Sequence, residues 1–316
     1  MPNQPRWEAL DRLVSDIRRQ HSSVEVLAAN CRTVLRTMEE QEHRPPAQYP
    51  ARHWSLAVVT DALVRVRLLI EQNLTYLETL GVLALTRYVF ELTIWVRLVE
   101  KDNRYGLLYY RELVDKQKLS YEDLHSHLVA EVAFLLKTSD KEKELIDTRL
   151  NDFAANPDSD AASTLFNDIT QKIDAAAARR FTLYGEQARN NGYGFQAFLV
   201  ETKVIPEVKA SLAEVDRELK AVDSAISGDV KKLMRNSNWK QRAAIVGMAA
   251  EYDFVYSYTS RLLHATPPSI TTDQKNLEPG EIEMFLRYVK VAIMDMLDIA
   301  TKVLTRVSTP ATTNLQ

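Results

Sequence analysis

One pair of charged residues interrupts the most apolar stretch of the 316-residue sequence. Arg87 and Glu91 are four positions apart, so on a helix they share one face. We predict that the pair is buried, although burying two charges costs several kcal/mol per ion before pairing compensates. The pair is either a device that fixes helix packing or half of a functional site. Its apolar neighbours are Leu83, Leu85, Tyr88, Val89, Phe90, Leu92, Ile94 and Trp95.

A second polar set recurs every four residues near the other end of the chain. Tyr252, Tyr256, Ser260 and His264 drift by only about 40° per step around a helix axis, so they form one stripe. Arg261 belongs to a neighbouring stripe. The conservative interpretation is a row of half-buried tyrosines with hydrogen-bonded hydroxyls, ended by a histidine that caps the helix. We predict that this stripe contacts the first pair, because both sets are too polar for apolar surroundings unless they satisfy each other.

Two classes of function fit these residues. The favoured one is a non-catalytic scaffold, sensor or binding module, in which a buried polar network fixes helix register. The alternative is a metal-independent ribonuclease-like or nucleotide-handling effector, such as a toxin or a phage-defence protein. His264 would then act as general acid or base, because its pKa lies near neutral, and Arg87 or Arg261 would stabilise a phosphate oxyanion. The candidate catalytic residues are Arg87, Glu91, Tyr256, Ser260, Arg261 and His264.

The two segments together resemble a family of uncharacterised bacterial helical proteins, described only as a domain of unknown function. The resemblance covers roughly residues 53–270 and implies a helical bundle without an established reaction. The middle, about 120–235, is longer than the family pattern and is interpreted as an insertion. The resemblance depends on Leu85-Thr86-Arg87-Tyr88-Val89-Phe90-Glu91, followed by Trp239, Tyr252, Tyr256, Ser260 and His264.

The chain is also similar, more weakly, to the HEPN superfamily of helical-bundle ribonucleases. Those enzymes place an Arg and a His on one helix, usually with four to six residues between them. Here Arg261 and His264 have only Leu262 and Leu263 between them. Arg87 and His264 would instead have to converge from different helices.

Composition narrows the fold class and the compartment. Only 8 of 316 residues are glycine, about 2.5% against a usual share of roughly 7%, which argues against sandwiches, barrels and nucleotide-cradling loops. Cys31 alone cannot form an internal disulfide. The N-terminus MPNQPRWEAL has no apolar run before its first charges, and charged residues interrupt the apolar stretch 81–99. We therefore expect a cytoplasmic protein without a secretory signal or a transmembrane helix.

No motif predicts a cofactor or a metal site. The sequence contains no GxxxxGK[ST], GxGxxG, HExxH or CxxC pattern, so we predict neither. His125 and His127 lie two apart on a helix and face different sides, which makes them poor joint ligands. The net charge of −3 gives no global attraction to nucleic acid. A basic cluster that includes Lys240 and Arg242 lies beside Trp239, and it is either a solvated surface or a phosphate-facing patch for RNA or a nucleotide.

Periodicity predicts an all-α protein, a multi-helix bundle with long N- and C-terminal helices and a helical insertion. The predicted regions are an N-terminal long helix within 1–50, a core bundle from 51–119 and 236–310, an insertion or subdomain at 120–235, and a disordered tail at 311–316. The predicted helices are 6–42, 53–79, 82–101, 104–118, 120–137, 139–155, 160–189, 195–203, 205–226, 238–265 and 280–307.

The first helix has a repeat of apolar residues that suggests a partner helix. Residues from Trp7 to Met38 alternate at spacings of three and four, as the a and d positions of a heptad do. The seam also contains His21, Ala28 and Cys31, which weaken it as an independent zipper. We expect its first half to be partly covered by the chain itself and the remainder to contribute to a homodimer.

Overall fold

The protein is all-α, as predicted. The computed structural model describes residues 4–74, 77–155, 159–234, 238–263 and 276–309, and none of these residues belongs to a strand. The tail at 311–316, which we predicted to be disordered, lies outside the described residues. The α-helices are α1 Gln4–Arg19, α2 His21–Gln41, α3 Ala51–Asn73, α4 Thr79–Lys101, α5 Arg104–Ala155, α6 Ser159–Ala178, α7 Gly185–Asn191, α8 Tyr193–Leu199, α9 Ile205–Ala225, α10 Gly228–Met234, α11 Trp239–Ile245, α12 Ala249–Leu263 and α13 Pro279–Ser308.

The chain divides into two compact units. Unit 1 comprises Met1–Glu112 and Ala221–Gln316, and unit 2 comprises Leu113–Lys220. In unit 1, α13 packs against α4, α3, α1 and α2, while α2 packs against α3. The core of this unit is apolar, with fully buried residues such as Leu63, Phe90 and Leu286.

The last helix forms where the sequence predicts it. Pro279 occupies the first turn, and the side chains and backbones of Glu278 and Glu281 form a reciprocal capping box. Ile282, Val289 and Met296 lie on the apolar face and are buried. Because this stripe has no polar interruption, α13 is the central packing element of unit 1.

The predicted N-terminal helix is divided in two. Helix α1 ends at Arg19 and α2 begins at His21, and the intervening Gln20 donates its N–H to the carbonyl of Ile17, one residue short of the α-helical partner. The break lets the two parts follow different neighbours, since α1 packs on α13 and α2 packs on α3. The apolar seam is buried within its own chain on both sides of the break, at Leu10, Val14, Ile17, Val24, Ala28 and Cys31.

Two helices meet very closely where α3 and α5 begin. The hydroxyl of Ser55 donates to the carbonyl of Asn103 at 2.8 Å. A Cβ on Gly106 would lie 2.4 Å from the backbone nitrogen of Ser55 and 2.7 Å from the carbonyl carbon of Trp54. Only glycine therefore permits this backbone-to-backbone approach.

Helix α5 continues through two predicted helix starts. We predicted separate helices beginning near Ser120 and Ser139, but one helix of 52 residues runs from Arg104 to Ala155. Serine followed by an acidic residue stabilises a helix start without forcing one. Between Gly106 and Pro157 there is neither glycine nor proline to end the helix.

Pro206 also fails to end a helix, contrary to our prediction. Residues Val200–Val204 form a π-helical turn, which joins α8 directly to α9. A proline ring clashes with the carbonyl four residues earlier in a regular α-helix. The wider turn immediately before Pro206 relieves that clash, so the chain remains helical.

Unit 2 has a small core of its own. Leu128, Leu135, Ala188 and Val200 are buried in it. On the polar side, Lys118 donates to the carboxylate of Asp216 at 2.8 Å. Asp216 also accepts from Lys220, and these bonds lower the pKa of its carboxyl to about 2.

We expect His53 to make the stability of the protein depend on pH. Its imidazole is 2% exposed, packed between the rings of Tyr49 and Trp54. Burial lowers the pKa of His53 from 6.5 to about 4, although the carboxylate of Glu42 opposes the shift. Glu39 lies 3.7 Å away and also faces the ring. Below pH 6.5, His53 is protonated in the unfolded chain but stays neutral in the folded protein. The free energy of unfolding therefore falls between pH 6.5 and 4, and the loss is about 2 kcal/mol at pH 5.

Urea unfolding at pH 7 and pH 5 measures this loss. In His53→Phe, which keeps an aromatic ring and removes the titration, the loss between the two pH values should shrink by about 2 kcal/mol. The exposed His43 provides a matched control, because His43→Phe should leave the loss unchanged. An equal pH dependence in all three proteins would contradict the role of His53.

Candidate functional site

Arg87, Glu91 and Tyr256 come together in unit 1. Helix α12 packs against α4, and the hydroxyl of Tyr256 donates to Oε1 of Glu91 at 2.5 Å. The same oxygen accepts from Nε of Arg87 at 3.3 Å. The predicted contact between the charged pair and the tyrosine stripe is therefore present.

The ring of Tyr256 adds two further contacts. The guanidinium carbon of Arg87 lies 4.4 Å from the centroid of that ring, in the range of a cation–π interaction. On the same helix, Tyr252 stacks on Tyr256 with centroids 4.1 Å apart. The ring of Tyr252 in turn packs on the ring of Phe90 in the core, with the two centroids 6.5 Å apart. The polar trio is thus continuous with the aromatic packing between α4 and α12.

The charged pair is less buried than we predicted. The side chain of Arg87 is 30% exposed and that of Glu91 is 25% exposed. Helix α4 is apolar in composition, but Leu80 and Tyr88 are exposed as well, so one of its faces reaches the surface. The desolvation cost that the sequence suggested is correspondingly smaller.

The electrostatics keep the phenol of Tyr256 protonated. Burial raises its pKa well above the usual 10, and the hydrogen bond to the Glu91 carboxylate raises it further. The positive charge of Arg87 lowers the pKa by a smaller amount. At neutral pH, Tyr256 is therefore a hydrogen-bond donor and not a base.

The remaining predicted site residues fall outside what the structure describes. The backbone of Ser260 and Arg261 belongs to α12, which ends at Leu263, but their side chains lie outside the described residues. His264 lies outside them entirely. Their catalytic roles, like those of Arg87, Glu91 and Tyr256, stay predictions.

A break separates Trp239 from the tyrosine stripe, where we predicted one helix over 238–265. Gly247 has a φ of +76°, and Met248 donates its N–H to the carbonyl of Ala243 at 2.7 Å. This is a Schellman motif, which ends α11 and lets α12 start in a new direction. The signal was visible in the sequence, because glycine is the residue that most readily adopts this conformation.

The break positions a second charged cluster that sequence reasoning missed. Arg242 of α11 is held by both carboxylate oxygens of Glu112, with Nη1 to Oε2 at 3.0 Å and Nη2 to Oε1. Its guanidinium carbon lies 4.6 Å from the ring of Trp95 and 5.5 Å from that of Trp239. Arg242 therefore locks α11 in place and is not part of a phosphate-facing patch. Its neighbour Lys240 is paired with Asp253 at 2.9 Å.

In unit 2, His127 lies beside the buried carboxylate of Glu131. Its Nε2 lies 3.5 Å from Oε2 of Glu131, whose other oxygen accepts the backbone N–H of Tyr184 at 2.8 Å. Throughout the described ranges, no group of three or more His, Cys, Asp or Glu side chains converges in a way that could hold a metal ion.

No family model, no curated protein and no solved structure matches the chain. None of the helices in the described part of the chain combines the length and apolar character that crossing a bilayer requires.

Proposed function

We propose that the protein is a non-catalytic helical scaffold or binding module, in which Arg87, Glu91 and Tyr256 fix the register of α12 on α4. The observation that carries the proposal is that one oxygen of Glu91 accepts from both Arg87 and Tyr256. The guanidinium also lies over the Tyr256 ring. Glu91 therefore joins the arginine of its own helix to the tyrosine of α12 through direct contacts within the protein.

The same pairing argues against base or nucleophile chemistry at Oε1 of Glu91 and at the hydroxyl of Tyr256. A general base needs a lone pair that can reach the substrate, and a nucleophile needs a group that is readily deprotonated. Oε1 of Glu91 already accepts two donors, and burial together with Glu91 raises the pKa of the Tyr256 phenol, so neither that oxygen nor the phenol is suited to take up a proton. The network is suited to joining two helices, which is the role of a satisfied polar cluster.

We expect Tyr256→Phe to lower the free energy of unfolding by about 1 kcal/mol, because it removes a hydrogen bond to a half-buried carboxylate. Urea unfolding measures the loss. Tyr252→Phe is the matched control, since it keeps the ring that stacks on Tyr256 and should change stability by less than about 0.5 kcal/mol. Equal stability of both variants and the wild type would contradict a structural network.

The ribonuclease-like alternative makes a different prediction for cells. The partial exposure of Arg87 and Glu91 leaves their surface open to a phosphate, as an effector that uses His264 and Arg87 or Arg261 would need. Expression of the wild type beside His264→Ala, with growth and total RNA followed together, separates the two functions. The scaffold predicts intact RNA in both cultures. RNA cleavage by the wild type that His264→Ala abolishes would overturn the scaffold and favour the effector.

A further inference from the structure

The outward face of α13 carries an exposed apolar stripe. Val291 is 56% exposed and Met294 is 50% exposed, although this helix is the central packing element of unit 1. Met284, one heptad before Val291, is exposed as well. The outward positions repeat every three and four residues, as in the seam of a coiled coil. This outer seam consists of Met284, Arg287, Val291, Met294, Asp298 and Thr301.

The outer seam is complementary to itself when read in the opposite direction. Suppose that Val291 of one copy faces Met294 of another in an antiparallel pair. Arg287 then faces Asp298, because it lies four residues before Val291 and Asp298 lies four residues after Met294. A two-fold axis repeats each contact, which gives a central apolar layer flanked by two opposite-charge layers. In a parallel arrangement Arg287 would face Arg287 and Asp298 would face Asp298, so charge selects the antiparallel one.

The charged groups of the outer seam are available for such a contact. Arg287 pairs with Glu283 of its own helix at 2.6 Å, and the Arg287 side chain is 71% exposed. Exposed pairs of this kind contribute little to stability, so the guanidinium can exchange partners at small cost. Asp298 is exposed, and within the described residues no cation forms an ion pair with it.

Two cavities beside the outer seam leave room for the side chains of a partner helix. One has a volume of about 450 Å³ and is bounded by α1 and α13, with Leu13 and Val291 among its lining residues. The other, about 490 Å³, is bounded by α2 and α13 and is lined by Val26 and Leu297. Val26 is itself exposed. Most of the other lining residues are polar or charged, and they include Arg287 in the first recess and Asp298 in the second.

We propose that a second copy of this chain docks on the outer seam, with the two α13 helices antiparallel and Val291 packed against Met294 across a two-fold axis. The contact lies on α13 and not on the N-terminal seam from Trp7 to Met38, whose apolar positions from Leu10 to Cys31 are buried within the chain. Self-complementary charge identifies the partner as the same chain. The proposal does not depend on the Arg87–Glu91–Tyr256 network.

Sedimentation equilibrium over a range of concentrations tests the dimer. We expect the wild type to dimerise, and we expect Arg287→Asp and Asp298→Arg each to raise the dissociation constant by at least about tenfold, because each creates two like-charge contacts. An equimolar mixture of these two variants restores both opposite-charge layers in a heterodimer. The mixture should therefore associate as tightly as the wild type.

Three results would overturn the proposal: a wild type that stays monomeric at high micromolar concentration, a dimer that survives both charge reversals, or weakened variants that the mixture does not rescue. The second would assign dimerisation to another surface, and the third would show that Arg287 and Asp298 do not face each other across the two-fold axis. Lys232→Glu is the matched control, because Lys232 is exposed and its one ion pair among the described residues is with Asp229 of its own helix. Circular dichroism of every variant, compared with the wild type, confirms that a change in mass does not reflect unfolding.

Discussion

We expect Gly106→Ala to lower the free energy of unfolding by about 3 kcal/mol. The new Cβ would lie 2.4 Å from the Ser55 nitrogen and 2.7 Å from the Trp54 carbonyl carbon. Both are backbone atoms, so no side-chain rotation relieves the clash, and α5 must move away from α3. That movement also stretches the hydrogen bond from Ser55 to the Asn103 carbonyl. Urea unfolding measures the loss.

Gly228→Ala is the matched control for this substitution. Gly228 begins α10, and a Cβ there meets no atom within 4 Å. Alanine restricts the unfolded chain and favours helix, so we expect this variant to gain up to about 1 kcal/mol. Wild-type stability in Gly106→Ala would show that the helices separate at no cost, and would refute the close approach.

The second large effect is expected at Glu112. In Glu112→Ala, the guanidinium of Arg242 keeps its charge between Trp95 and Trp239 but loses its counter-charge. The Arg242 side chain is only 6% exposed, so water hydrates the unpaired guanidinium poorly. Removing one partner of a buried ion pair costs about 3–5 kcal/mol, and we expect a loss near the lower end because Glu112 is 27% exposed.

Arg242→Met shows whether the loss comes from an unpaired charge. Methionine fills the space between the two indoles, and the carboxylate left behind can be hydrated. We therefore expect a loss of no more than about 1.5 kcal/mol. Combining Glu112→Ala with Arg242→Met should give a protein more stable than Glu112→Ala alone. If the two losses simply add in urea unfolding, Arg242 is not stranded by the loss of Glu112.

Much of the fold follows from local sequence signals, because each helix end is set by a few neighbouring residues. Pro279 and the Glu278–Glu281 box set the start of α13. The continuation of α5 through Ser120 and Ser139 was not predictable in the same way. A capping residue becomes a cap only if the chain turns there, and tertiary packing decides whether it does.

The candidate site was predictable only where its residues are periodic. The spacing of Arg87 and Glu91, and of Tyr252 and Tyr256, placed each pair on one helix face, and shared polarity predicted their contact. The lock between Arg242 and Glu112 has no such signal, because 130 residues separate the partners. Arg242 therefore seemed to belong with the neighbouring lysines.

The pairing of Arg111 with Asp223, whose nitrogen and oxygen lie 2.7 Å apart, has a consequence for how this chain can change. Unit 1 is discontinuous, since 108 residues separate Glu112 from Ala221. Arg111 and Asp223 lie next to the two positions where the chain leaves unit 1 and returns to it. Their ion pair therefore joins the two segments of unit 1 directly. Because this pair lies within unit 1, the region between Glu112 and Ala221 is one that evolution can replace with another folded unit while unit 1 keeps its own contacts.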